Sequence, residues 1–318
     1  MLTRNRLLLA LLACAPAFSV ALAADQAPFD RLVVFGTSLS DPGNAFVLLG
    51  TTNTPPDFSV NMFLVPDRPY ARGGQHFSNG ATWVEQLALQ IGLAGSANPA
   101  FRSESSRASN YAVGGARARD TASPIDLPDQ VTAFLDGVYS APEGALYVIE
   151  MGGNDLRDAL ELFAQTGDQA AAFALAQLAA DSVNDQIMRL YVAGARSFLV
   201  WNAPDIGRTP AINPSPSAAF FANLLAQAFN ARLEAWLAQL SGMPEIRIDL
   251  FDAYAKLNTV VAQPQLFGLR NVAGACITPG TPPFACKKAD EFLFWDGIHP
   301  TRAGHGILAH EAAQVVQQ

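Results

Sequence analysis

Four short stretches of this 318-residue chain carry residue types suited to nucleophilic catalysis. In RLVVFGTSLSDPGN (31–44) an apolar run leads directly into Gly36, Thr37 and Ser38. A serine just past a strand exposes its hydroxyl and can offer its own backbone N–H to an anion. Taken alone, Ser38 or Ser40 reads more simply as a helix N-cap, and Ser40 stands where a G-x-S-x-G turn would need glycine. In DGIHPT (296–301) Asp296 and His299 lie three residues apart on a proline-stopped loop. A carboxylate there can hold one ring nitrogen while the other faces a nucleophile; a structural pair or half of a metal site is the competing reading. NYAVGGA (110–116) and EMGGNDL (150–156) each bend on paired glycines, which let a backbone N–H approach a ligand closely. Asn154 adds a neutral amide donor suited to an oxygen that gains charge only in a transition state. Two tight strand-to-helix turns would explain the same glycines.

Alternating elements are expected to position these stretches. Short apolar runs at 32–35, 145–150, 198–201 and 246–250 read as buried parallel strands. Helical patterns cover 82–90, 127–135, 168–193, 218–240 and 301–316. Within 218–240, Phe221, Leu225, Ala228, Phe229, Leu233, Trp236 and Leu240 fall at spacings of three and four, defining one apolar face that belongs to a core. Strand then helix, repeated, gives an α/β fold: a three-layer α/β/α sandwich with a mostly parallel sheet. Functional residues of such sheets gather at the carboxyl ends of strands. The low-charge stretch 49–66 reads as a surface loop near the first strand.

Taken in order, the Ser38, Gly115, Asn154 and Asp296-to-His299 blocks resemble the SGNH hydrolases, also called the GDSL lipase/esterase family. The segment RGGQHFSNGATWVEQLA (72–88) is similar to its lipase/acylhydrolase branch. The resemblance implies a flavodoxin-like sandwich, Ser38 as nucleophile, Asp296 and His299 as acid and base, and an oxyanion hole of Ser38, Gly115 and Asn154. Gly115 is preferred to Gly114 because the family's motif ends in the glycine before a small or polar residue. One departure stands out: the family's name-giving Asp before the serine is Thr37 here. That Asp is not part of the triad, so the change concerns turn geometry more than chemistry.

The implied reaction is hydrolysis of a carboxylic ester through an acyl-enzyme on Ser38, with no metal or organic cofactor. Short-chain acyl, choline and lipid esters all fit, since the shared residues describe only the reaction centre. A phospholipase, lysophospholipase or acyltransferase is the alternative within the family. A catalytically inactive binding protein on the same fold is the alternative outside it. Phe292, Phe294 and Trp295, just before Asp296, are candidates either for a substrate pocket or for a short core-facing strand.

Composition bounds the setting. Hydrophobic residues make up 50% and charged residues 15%, enough apolar surface for a folded core. A net charge of −8 makes nucleic acid an improbable partner. Residues 1–23, with Arg4 and Arg6 ahead of an apolar stretch ending in Ala21-Leu22-Ala23, have the build of a secretory signal peptide. An uncleaved anchor is the alternative, but Pro16 interrupts the stretch and it falls short of the ~20 residues of a span. Residues 24–318 then form one hydrolase domain in a secreted or periplasmic protein, with no stable membrane span after cleavage. Cys14 leaves with the signal. Cys276 and Cys286 remain, enclosing a Pro/Gly-rich loop, and are expected to form a disulfide in an oxidising compartment.

Overall fold

A computed structural model of the chain describes residues 29–48, 75–102, 107–278 and 281–317. The signal segment, Cys14 and the 49–66 loop lie outside the described residues. Four strands, β1 (Arg31–Gly36), β2 (Ala145–Glu150), β3 (Ser197–Trp201) and β4 (Arg247–Phe251), pair in parallel in that spatial order. On the other side of β1, the 109–113 segment follows the same direction: Val34 N–H donates to Ser109 O at 2.9 Å, and Tyr111 N–H to Val34 O at 2.7 Å. Counting this segment second in the chain, the order across the sheet is 2-1-3-4-5, the flavodoxin-like arrangement. Its switch point lies at the carboxyl end of β1, where Ser38 emerges ahead of the short helix α1 (Asn44–Leu48).

Strand side chains alternate between the two faces, as the period of two requires. Leu32, Val34, Leu146, Val148, Leu199 and Trp201 face α2 (Trp83–Gln90) and the C-terminal helix. Val33, Phe35, Tyr147, Ile149, Phe198 and Val200 face the other way, into a second core. Helices α3 (Leu127–Asp136), α4 (Gly153–Thr166), α5 (Gln169–Ala193) and α6 (Pro216–Leu240) cover that core. The expected face of α6 is indeed core: Phe221, Leu225, Phe229, Leu233 and Leu240 are buried, while Trp236 is half-buried and donates its indole N–H to Asp181.

The expected strands and helices match to within one or two residues, the C-terminal helix α8 (Arg302–Val316) included. The sequence pattern does not reveal α4 or α7 (Ala253–Ala262). The first opens inside the 152–154 glycine turn, and its apolar stripe of Leu156, Ala159, Leu160 and Phe163 spans only about two turns; the second is only ten residues long. A small parallel ladder joins β5 (Asn271–Ala275) and β6 (Phe292–Phe294) beside the main sheet. Cys276 and Cys286 form the expected disulfide just beyond β5. The bridged loop is held to the residues before Asp296 by backbone hydrogen bonds, Cys276 N–H to Phe294 O and Ile277 N–H to Trp295 O.

Candidate active site

The turn after β1 carries Ser38. Its Oγ lies 2.9 Å from His299 Nε2. On the other side of the ring, Nδ1 lies 2.6 Å from Asp296 Oδ2. The second Asp296 oxygen accepts the backbone N–H groups of Ile298 and His299 at 2.8 and 2.7 Å, so the carboxylate fixes both the loop and the ring. Trp295 N–H donates to His299 O at 2.8 Å, and the Phe77 ring packs on the imidazole with centroids 5.4 Å apart. Asp296 and His299 are almost fully buried, whereas Ser38 is 9% exposed at the mouth of a cavity. Residues 261 positions apart are thereby brought into hydrogen-bond contact.

The candidate oxyanion donors lie on three loops. The N–H groups of Ser38 and Gly115 meet no protein acceptor among the described residues, whereas Gly114 N–H donates to Asp41 Oδ2 at 2.8 Å. That difference separates the two adjacent glycines: only Gly115 has a free N–H. Gly115 sits at φ +90°, a backbone conformation that glycine adopts without strain. Its carbonyl accepts from Arg117 at 2.8 Å. The Asn154 amide nitrogen, at the start of α4, donates one proton to Ala116 O at 2.8 Å. Arg157 Nη1 approaches the Asn154 amide oxygen at 3.4 Å. These two contacts orient the amide and leave its second N–H uncommitted.

Behind Ser38 lies a cavity of about 100 Å³, lined by Ser38, Asn154, Arg157 and His299 and by apolar side chains from β6, α7 and α8 such as Leu257, Val260, Phe294 and Ile307. Of the three aromatics ahead of Asp296, only Phe294 reaches it. Phe292 and Trp295 pack instead against the disulfide and Ile277. Desolvation of Arg157 lowers its guanidinium pKa, with the nearby Arg117 charge adding to the effect. The other histidines stand apart from this centre. His305 is buried in α8 and pushed down to about 3 by burial and, less strongly, by the charges of His299 and His76. His76 meets Glu85 at 2.9 Å, and His310 lies on the exposed side of α8.

Two buried carboxylates around the nucleophile are not among the site residues the sequence singles out. Asp41 is buried and accepts from the backbone N–H groups of Gly43, Asn44, Ala45 and Gly114. Burial pushes its carboxyl up to about 6, against those hydrogen bonds. Glu150, the last residue of β2, is buried beside Thr37 and Ser40 at the cavity wall; burial pushes it up to about 7, opposed by the Thr37 and Ser40 donors. The one sequence cue to it is a carboxylate that ends an apolar strand just before a glycine turn.

The family model described as GDSL-like Lipase/Acylhydrolase matches residues 32–312. The chain belongs to this family. It is therefore a carboxylic ester hydrolase of the GDSL lipase/acylhydrolase type. A GDSL esterase/lipase of Arabidopsis thaliana is 30% identical to it over 90% of this chain and 89% of its own length. A phosphatidylcholine-sterol acyltransferase of Aeromonas hydrophila is 25% identical over 93% of this chain and 92% of its own. Among solved structures, a lipolytic G-D-S-L family member of Veillonella parvula aligns with 91% of this chain and 98% of its own, at 14% identity and a TM-score of 0.44.

Proposed function

We propose that this GDSL hydrolase cleaves carboxylic esters through an acyl-enzyme on Ser38, with His299 as general base and acid and Asp296 holding its tautomer. The observation that carries this reading is the position of the His299 ring, between Asp296 Oδ2 at 2.6 Å and Ser38 Oγ at 2.9 Å. In that geometry neutral His299 takes the Ser38 proton as Oγ attacks the carbonyl carbon. Asp296 stabilises the imidazolium that forms. The negative oxygen of the tetrahedral intermediate takes the free N–H groups of Ser38 and Gly115 and the uncommitted amide proton of Asn154. His299 then protonates the departing alkoxide, the acyl-enzyme remains, and water attacks it by the same route in reverse. The small, mainly apolar cavity supports esters with a short acyl chain.

A second reading, transfer of a phospholipid acyl group to water or an alcohol, is favoured by the likeness to the Aeromonas acyltransferase. Arg157 in the cavity wall suits a phosphate-bearing ester. We also propose export to the periplasm or beyond, supported by the build of residues 1–23 and by the disulfide.

A fluorophosphonate probe tests the central claim. It is expected to label the wild type on Ser38 and to leave Ser38→Ala unlabelled, with p-nitrophenyl ester hydrolysis abolished and the circular dichroism spectrum unchanged. Hydrolysis persisting in purified Ser38→Ala removes Ser38 from the role. Product analysis with phosphatidylcholine, with and without an alcohol acceptor, separates the two substrate readings.

A further inference from the structure

The turn holding Ser38 is clamped by a carboxylate that comes from the neighbouring strand. Glu150 Oε2 accepts the Thr37 backbone N–H and the Ser40 hydroxyl, each at 3.0 Å. The Thr37 hydroxyl lies 3.0 Å from both Glu150 oxygens. The direction of these bonds is fixed by their outer ends. Trp83 Nε1–H can only donate, and it points at Ser40 Oγ at 2.9 Å. Ser40 therefore accepts there and sends its own proton to Glu150. Leu39 N–H likewise leans on Thr37 Oγ1 at 3.4 Å, which leaves the Thr37 proton for Glu150. Three donors, the Thr37 N–H, the Thr37 hydroxyl and the Ser40 hydroxyl, converge on the carboxylate, and the two residues it holds flank Ser38 and Leu39. A backbone bond from Ser40 N–H to Thr37 O at 3.0 Å closes the same turn.

Room for this arrangement is built into β1. Gly36 pairs with Glu150 in the sheet register, and a Cβ at Gly36 would lie 3.1 Å from Glu150 Oε2 and 3.0 Å from Ser40 Cβ. The residue at 37 is the one place where the chain departs from the family's Gly-Asp-Ser-Leu lettering, and Thr37 is the side chain that meets Glu150. Glu150 makes no hydrogen bond to Ser38 or His299.

We propose that Glu150 is the positioning residue of the nucleophile, holding the 37–40 turn so that Ser38 Oγ meets His299, and that it supplies from β2 the carboxylate which this chain lacks at position 37. The inference rests on Ser38 as nucleophile. It predicts that the carboxylate can be moved between positions 150 and 37 but not doubled. In Glu150→Gln the amide can no longer accept from every donor. In Thr37→Asp two buried carboxylates face each other. Combining the two substitutions exchanges the partners: the amide introduced at position 150 donates to the carboxylate introduced at position 37. The oxygen of that amide still accepts from Ser40 and from the backbone N–H at position 37.

Full-length protein is assayed for kcat and KM on p-nitrophenyl butyrate and for the rate of fluorophosphonate labelling, with thermal melts to confirm folding. Glu150→Gln is expected to lower kcat and labelling roughly 10–100-fold, with KM within about threefold. Thr37→Asp is expected to lose at least as much in the wild-type background, yet to raise the activity of Glu150→Gln. A positioning role through the carboxylate is overturned if Glu150→Gln keeps its kcat, or if Thr37→Asp is equally harmful in both backgrounds. Should Glu150→Gln fail to fold, Ser40→Ala decides between the outcomes. It removes one donor and is expected to cut kcat about 3–10-fold at constant KM, and an unchanged kcat overturns the proposal. Wild-type labelling on Ser38 keeps the two questions apart: without it the nucleophile assignment fails, and with it only the role of Glu150 is at stake.

Discussion

Asn154 sits in the GDSL-family turn with both halves of its amide engaged, the nitrogen on Ala116 O and the oxygen near Arg157. A side chain held this way needs no reorganisation when an oxyanion forms, and that preorganisation gives an oxyanion donor its leverage. Asn154→Ala is accordingly expected to lower kcat by about 10²–10³ while KM changes little, measured on a p-nitrophenyl ester. A matching rise in KM would instead assign Asn154 to ground-state binding. At this scale Asn154 is visible in the sequence from its place after two glycines, but the contacts that orient it are not. Ala116 comes from a different loop and nothing in it marks it as a neighbour of the amide, whereas Arg157 is a neighbour by its i, i+3 spacing only once the helix α4 is known. Gly114 and Gly115 are likewise indistinguishable by type; the Asp41 bond to one N–H tells them apart.

The loop that carries Asp296 and His299 is braced by an element of its own. The bridged 276–286 loop bonds to Phe294 and Trp295 through its backbone and packs Cys276 and Ile277 on the Trp295 ring. Closing a ten-residue separation contributes about 2–3 kcal/mol in the chain-entropy account. Replacing both cysteines by serine is expected to lower the urea midpoint correspondingly. The wild-type kcat should survive to within a few-fold at low temperature, because Asp296 is bonded directly to the Ile298 and His299 backbone and to the His299 ring. Equal urea midpoints for the two proteins would contradict this. The pairing is legible from two cysteines around a Pro/Gly-rich stretch, but the surface it braces is not.

For the whole molecule, the shifts of the buried Asp41, Glu150 and His305 make stability depend on pH. Asp41 and Glu150 hold a proton more tightly when folded, at about 6 and about 7 against 3.8 and 4.5. Their stabilising contributions are complete below the lower values and are lost as pH rises through the upper ones. His305 acts in the opposite direction. Its folded value near 3, below the ordinary 6.5, makes its contribution full above 6.5 and lost as pH falls towards 3. Between about pH 4 and 6.5 the two effects oppose each other, and above 6.5 Glu150 dominates. Urea unfolding is therefore expected to show lower stability at pH 8 than at pH 6.5, on the order of 1 kcal/mol. Glu150→Gln should flatten that slope. A slope unchanged in the variant would reassign it to another group.

The sequence by itself determined the α/β alternation, because buried parallel strands must be continuously apolar and their covering helices must show one apolar face. It also carried the family, through the order of the Ser38, Gly115, Asn154 and Asp296-to-His299 blocks. Only the tertiary structure decided which of those groups touch and what supports them. Ser38 and His299 meet because the carboxyl end of β1 and the loop before α8 converge at the switch point of the sheet. Glu150 gained its place through strand register, which pairs it with the distant Gly36. Hydrophobic periodicity acts along the chain and is written there locally. Hydrogen bonds between loops depend on how the sheet is threaded, and no local pattern records that.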